Sequence, residues 1–272
     1  METMKLLACR PKRLTPAQLM QAAQDAIRIN PANRPPIERM TGGMRGLRMS
    51  PERIAVMTTN YWGPAGVHLT VGFLDNAPTD LRRRILSHMN AWNRDANVQF
   101  SETKTDPDVR ISRVGGPDGG YWSYVGTEIR QIKKNAATMN LEEFTMNTPD
   151  SEFFRVVRHE TGHTLGFPHE HMRRALVKKI DRKKAIAYFK REDGWSEQDT
   201  IAQVLTPIEE ALIKGTAADP KSIMCYQIPG EITIDHKPII GGLDIDESDY
   251  VFCGKIYPKL SKAPLKKAAT AS

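Results

Sequence analysis

The chain has 272 residues, 40% of them hydrophobic, and a formal net charge of +7. That length suits one domain with an extension, or one large domain. It holds no apolar run near the ~18 residues of a membrane helix, too few cysteines (three) for a disulfide scaffold, and no nucleic-acid recognition motif beside its positive charge.

The first residues, Met1 to Cys9, are too short an apolar stretch for a secretory signal, and Arg10, Lys12 and Arg13 follow at once. The expectation is a cytoplasmic chain, export by a route that needs no such signal, or a truncated start; a monomer is assumed. Residues 15–29 read as a helix: Thr15 caps it, Pro16 suits the first turn, and Leu19, Ala22, Ala23, Ala26 and Ile27 form an apolar stripe. Pro31, Pro35 and Pro36 end it, and Gly42, Gly43 and Gly46 continue a basic linker. Residues 1–53 therefore read as an N-terminal extension, either a propeptide or regulatory arm or a substrate-recruiting segment. Cys9 lies in it, and thiolates are good metal ligands.

Val67, Leu69, Val71 and Phe73 alternate, which predicts a half-buried strand. Thr79 and Asp80 start a helix with the stripe Leu81, Ile85, Met89 and Trp92. Val109 and Ile111 suggest a second strand, residues 129–132 a third, and residues 136–141 an edge strand to which an extended peptide can add. Thr148 and Pro149 open the next helix, with Phe153, Val156 and Val157 on its core side. Residues 180–190 and 207–214 read as further helices, and a basic tail runs over 259–272.

On the helix after Pro149 stands the most informative run, His159-Glu160-Thr161-Gly162-His163-Thr164-Leu165-Gly166-Phe167-Pro168-His169. Residues i and i+4 share a helix face, so His159 and His163 can reach one metal ion with Glu160 beside them. Gly166 can take the left-handed conformation that stops the helix and brings His169 round as third ligand. Three protein ligands leave one tetrahedral position for water, the arrangement of catalytic rather than structural zinc. Glu160 then serves as general base and acid. Downstream, Ser222-Ile223-Met224-Cys225-Tyr226 fits the methionine turn that completes this extended pattern. Met224 is expected beneath the histidines as an apolar floor, and Cys225 as a buried, inert thiol. His68, His88, His171 and His236 lack metal spacing.

These residues resemble those of astacin-type metzincin peptidases. Glu170 follows the third histidine, as is typical there. Gly120-Tyr121-Trp122-Ser123-Tyr124-Val125-Gly126 resembles the family's G-C-W-S-Y-V-G stretch, and Phe167-Pro168-His169-Glu170-His171-Met172-Arg173 its F-x-H-E-H-x-R run. The segment from Leu243 to Tyr250, with Ile256 and Tyr257, is similar to the family's last helix. The resemblance spans residues 54–257. It implies an α+β metzincin fold over 54–258: a twisted, mostly parallel sheet with an antiparallel edge strand, a long zinc-binding helix and a helical C-terminal subdomain.

The resemblance also implies a zinc-dependent endopeptidase with one catalytic ion, acting on protein or peptide substrates bound in extended form. Tyr226 matches the tyrosine that binds zinc at rest and swings to the oxyanion during turnover. Glu170 matches a structural glutamate that pairs with the amino terminus of the processed enzyme; in an uncut chain Arg173 is a candidate partner. Two features depart from the family: its disulfide framework is missing, Tyr121 standing where a cysteine is usual, and its aspartate-type latency motif is absent. The basic run from Arg173 to Arg191 reads as a solvated face, with steering of acidic substrates as the functional alternative. The competing class is a zinc-containing peptidase-fold binding module acting through that basic surface. An intact Glu160 and ligand set favour catalysis.

Overall fold

The computed structural model describes residues 9, 12–36, 55–208 and 217–259. Five strands form one sheet: β1 Val67–Phe73, β2 Val98–Glu102, β3 Val109–Ser112, β4 Tyr121–Ser123 and β5 Met139–Leu141. Their spatial order is β2-β1-β3-β5-β4. Every neighbouring pair is parallel except β4 with β5, which run antiparallel with Trp122 opposite Asn140. This is the expected mostly parallel sheet with an antiparallel edge.

The edge itself differs from expectation. Residues 136–141 supply β5, an inner strand, and the edge is β4. The 129–132 stretch is not a strand but part of a 3-10 turn, Gly126–Gln131. Gly126 takes a positive φ of 51° there, the Glu128 carboxylate accepts from Val125 N at 3.3 Å, and Ile129 alone is driven into the core. β2 was not expected, because only Val98 and Phe100 of its five residues carry an apolar signal.

Helix α2 (Thr79–Met89) lies against the sheet through Leu81, Ile85 and Met89, all almost fully buried. Helix α3 begins as Asp150–Glu152, widens into one π turn over Phe153–Val157 and continues as Arg158–Thr164. Thr148 is not its cap: the Thr148 hydroxyl instead accepts from Thr145 N at 3.0 Å, and Pro149 stands at the cap position. Phe153, Val156 and Val157 enter the main core with Leu69, Val71, Ile111 and Met139.

Below α3 a second apolar cluster joins Phe189, Trp195, Val204, Ile228 and Ile232 to Tyr226, Cys225 and Cys9. Its main helix, α4, is Arg182–Asp193, begun by Asp181 accepting from Lys184 N and ended by left-handed Gly194. Of residues 207–214, all but Pro207 and Ile208 lie outside the described residues, and those two are not helical. The last helix, α5, is Glu247–Ile256, opened by a reciprocal cap between Asp246 and Asp249.

The N-terminal segment is built into this body. Helix α1 (Pro16–Ile29) has the expected Thr15 cap, completed by Gln18, and buries Ala22, Ala23 and Ala26. The Asn33 side chain, 1% exposed, donates to Ala26 O and Tyr61 O and accepts from Tyr61 N and Thr59 Oγ1. Asn30 Nδ2 donates to Trp62 O at 2.7 Å. Buried polar groups satisfied in this way hold a segment firmly, since leaving any one unmade costs about 1–3 kcal/mol. Among the described residues no helix is long and apolar enough to cross a membrane.

Candidate metal centre and active site

The end of α3 shapes the site. Gly166, at φ 95°, reverses the chain; Gly166 N donates to His163 O and Phe167 N to Gly162 O. This is a Schellman closure. The same turn presents Phe167 O to His163 Nδ1, which donates to it at 2.8 Å. The residue that stops the helix thus also fixes the tautomer of a histidine one turn earlier.

His159 is fixed from the other side. Its Nδ1 donates to Ile223 O at 2.6 Å, in the methionine turn. With Nδ1 protonated in both rings, Nε2 is left as the lone-pair atom. The Nε2 atoms of His159 and His163 lie 3.2 and 3.0 Å from His169 Nε2. Nitrogen ligands at about 2.0–2.1 Å in tetrahedral array stand about 3.4 Å apart, so one zinc ion fits the donors with a small expansion. All three rings are buried. Burial holds His159 at about 4 and the other two well below the usual imidazole range, with the neighbouring rings adding to it. Neutral imidazoles are the metal-binding form.

Around this centre, Met224 packs under the helix. A methyl group added at Gly162 would meet its sulfur at 2.4 Å, so the glycine between the two helical histidines makes room for the methionine floor. The turn is anchored by Asp249 of α5, which accepts from Ser222 Oγ at 2.6 Å and Ile223 N at 2.9 Å. Glu170 N donates to Met224 O at 2.8 Å and joins the third ligand's segment to the same turn.

Glu160 is 1% exposed; burial pushes its carboxyl up to about 8, opposed by the Cys9 contact and by Arg155. A dication beside it acts in the opposite direction. Tyr226 stacks on His171 at 4.0 Å and lies against His169 at 4.3 Å. Its hydroxyl is buried beside the Cys9 thiol, and burial, with Cys9 and Glu160 nearby, pushes it well above the usual phenol range.

The expected residues His159, Glu160, His163, His169 and Tyr226 are thus brought together. Cys9 joins them: among the described residues, the metal-capable group is Cys9, His159, His163 and His169, with ligand atoms all within 4.8 Å of one another. His68, His88, His171 and His236 stand outside it. Cys225 is buried, as expected. Glu170 turns away from the metal centre to line a cavity of ≈ 550 Å³ with Asp219 and Asp249, and its Oε1 accepts from Arg173 Nη1 at 3.3 Å and Asp219 N at 3.0 Å. Three supports went unforeseen: Asp249, and the carbonyls of Ile223 and Phe167. The only sequence signal for Asp249 was its place in the last family-like helix.

A model of the astacin peptidase family matches residues 57–231. Zinc metalloproteinase nas-27 of Caenorhabditis elegans is 36% identical over 99 residues, a stretch that spans 36% of this chain and 20% of that protein. A structure of myroilysin superposes with a TM-score of 0.68 at 29% identity, covering 74% of this chain and 96% of its own. A crystal structure of myroilysin gives 0.56 at 30% identity, with 74% and 86% covered. With the family match spanning more than half of its 272 residues, the chain belongs to the astacin family of peptidases.

Proposed function

We propose that the chain is a zinc-dependent endopeptidase that cleaves proteins or peptides bound in extended form. The observation that carries this reading is the convergence of three neutral imidazole nitrogens, two from the helix and one from beyond its closing turn, beside a buried carboxylate. His159, His163 and His169 hold the ion. A zinc ion there supplies Lewis acidity, acidifying water and polarising the scissile carbonyl.

Glu160 takes the proton of the attacking water and returns it to the leaving amine. The Tyr226 hydroxyl donates to the oxygen of the scissile carbonyl as charge builds there. Tyr121 of β4 lines the same cleft as His159 and Glu160, so an extended peptide pairing with this antiparallel edge passes the site. The binding-module alternative draws no support from a site whose base and ligands are intact.

The test is metal content and hydrolysis measured together, in the wild-type and Cys9→Ser backgrounds. One zinc per chain is expected, and it should be kept in Glu160→Gln. Peptide hydrolysis should fall by roughly 10²–10⁴ in that variant. Wild-type turnover by Glu160→Gln, or no stoichiometric zinc after reconstitution, refutes the proposal.

A further inference from the structure

We propose that Cys9 is a fourth protein ligand to the metal ion in the intact chain, closing the site from a segment built into the catalytic body. This rests on the zinc reading above. Cys9 is 4% exposed, and its sulfur faces polar groups rather than the apolar cluster alone. Sγ lies within 4.8 Å of the three imidazole nitrogens and 3.4 Å from Glu160 Oε2. It therefore occupies the position between base and metal that the attacking water must take.

The ligand atoms, within 4.8 Å of one another, need to close by about 1 Å at most. A thiolate at about 2.3 Å and imidazoles at about 2.1 Å in tetrahedral array stand about 3.6 Å apart. Coordination replaces the S–H bond with a sulfur–metal bond. The proton passes to Glu160, and the water leaves. The Tyr226 hydroxyl lies in the same pocket, beside the thiol.

The described residues that follow, from Lys12 on, explain why the thiol stays. Three residues on, Lys12 pairs with Asp118 at 2.9 Å and lies 5.0 Å over the Trp122 ring of β4. Cys9 thus lies at the metal centre and Lys12 at the edge strand that an extended substrate would use. Beyond it, α1, Asn30 and Asn33 are bonded into the body at residues 59–62. A ligand tethered only three residues from an anchored Lys12 acts at high effective concentration. Substrate must therefore displace a covalently tethered competitor.

Cobalt(II) reconstitution of the full chain tests this without relying on activity. Wild type, Cys9→Ser and Cys225→Ser should each bind one cobalt with visible d–d absorption. A near-ultraviolet sulfur-to-cobalt charge-transfer band should appear in wild type and Cys225→Ser and vanish in Cys9→Ser. Cleavage of a quenched-fluorescence peptide by zinc-loaded Cys9→Ser should exceed that of wild type roughly 10²-fold. Equal ultraviolet spectra in wild type and Cys9→Ser, with the d–d bands intact, overturn the Cys9 assignment and leave the histidine site standing. A band that follows Cys225 overturns it equally. Absence of cobalt from every form overturns the zinc reading itself.

Discussion

Replacing Asp249 with alanine should weaken zinc binding although this carboxylate touches no metal ligand. Asp249 accepts from Ser222 Oγ at 2.6 Å, Ile223 N at 2.9 Å and Asp246 N at 3.1 Å. Burial pushes the Asp249 carboxyl up to about 6 from an ordinary 3.8 even with these bonds made, so the charge is costly and the carboxylate's use is to anchor the turn. In Asp249→Ala three donors lose their acceptor, at about 1–3 kcal/mol each where they stay buried, offset in part by the relieved charge. Urea unfolding of the metal-free chain should read a net destabilisation of about 1–3 kcal/mol.

The functional part follows from Ile223, whose carbonyl holds His159 Nδ1–H at 2.6 Å. If the turn drifts, that ring loses its orientation, and supports of this kind are worth 10–100-fold in metal affinity. Chelator competition should therefore show zinc affinity lower by about 10–100-fold in Asp249→Ala. Asp246→Ala removes the α5 cap but leaves the turn's anchor; it should cost about 1 kcal/mol without a comparable change in affinity. Wild-type zinc affinity in Asp249→Ala, with stability lowered as expected, would refute the coupling through Ile223.

Tyr226→Phe should keep more activity than Glu160→Gln and lower kcat rather than raise KM, because its hydroxyl acts on charge that appears only in the transition state; steady-state kinetics on one peptide in both variants decides this. Glu128, on the wall of the large cavity, is pushed by burial up to about 7 from 4.5. At this site the native chain binds more protons than the unfolded one between these values, so the site's contribution to stability should fall as pH rises from about 4.5 to 7. Glu128→Gln should make the measured fall shallower by up to about 3 kcal/mol across that range, as measured by urea unfolding across pH. Glu170→Gln, which weakens the contact with Arg173 and leaves the metal ligands alone, should lower the melting temperature more than kcat in a Cys9→Ser background. Loss of turnover at wild-type stability and zinc content would contradict that structural role.

The metal centre was legible because its parts are close in sequence. Two histidines one turn apart, a helix-stopping glycine and a third histidine are local geometry, and local geometry is what a sequence pattern encodes. Met224 and Tyr226 were reachable only because the histidine run gave a reason to look downstream. Asp249 was not, since a carboxylate on a helix end reads as a cap until packing places it under Ile223. The sheet was legible where apolar residues alternate, as in β1, and obscure where strands are short. β4 has three residues, and β2 shows two apolar positions. Ile129 and Ile132 imitated a strand because their spacing fits a 3-10 turn as well. Cys9 lies 151 positions from the carboxylate it contacts; chemistry suggested it as a zinc ligand, and only tertiary packing brought it to the site.

The turn at Gly166 bears on how this chain tolerates changes in length. Between His163 and His169 one left-handed residue reverses direction, one carbonyl holds an imidazole, and the main chain reaches the third ligand with no slack. An insertion or deletion of a single residue there would rotate Phe167 O away from His163 and carry His169 off the point where the other two rings meet. The 3-10 segment at Gly126 is tied to the same place, since Asn60 O lies 1.9 Å from where a Cβ on Gly126 would stand and 2.9 Å from the equivalent position on Gly166. Length variants should therefore be accepted in outlying loops and refused across residues 163–169. A library of single-residue insertions, scored for zinc retention, should show that stretch as a gap.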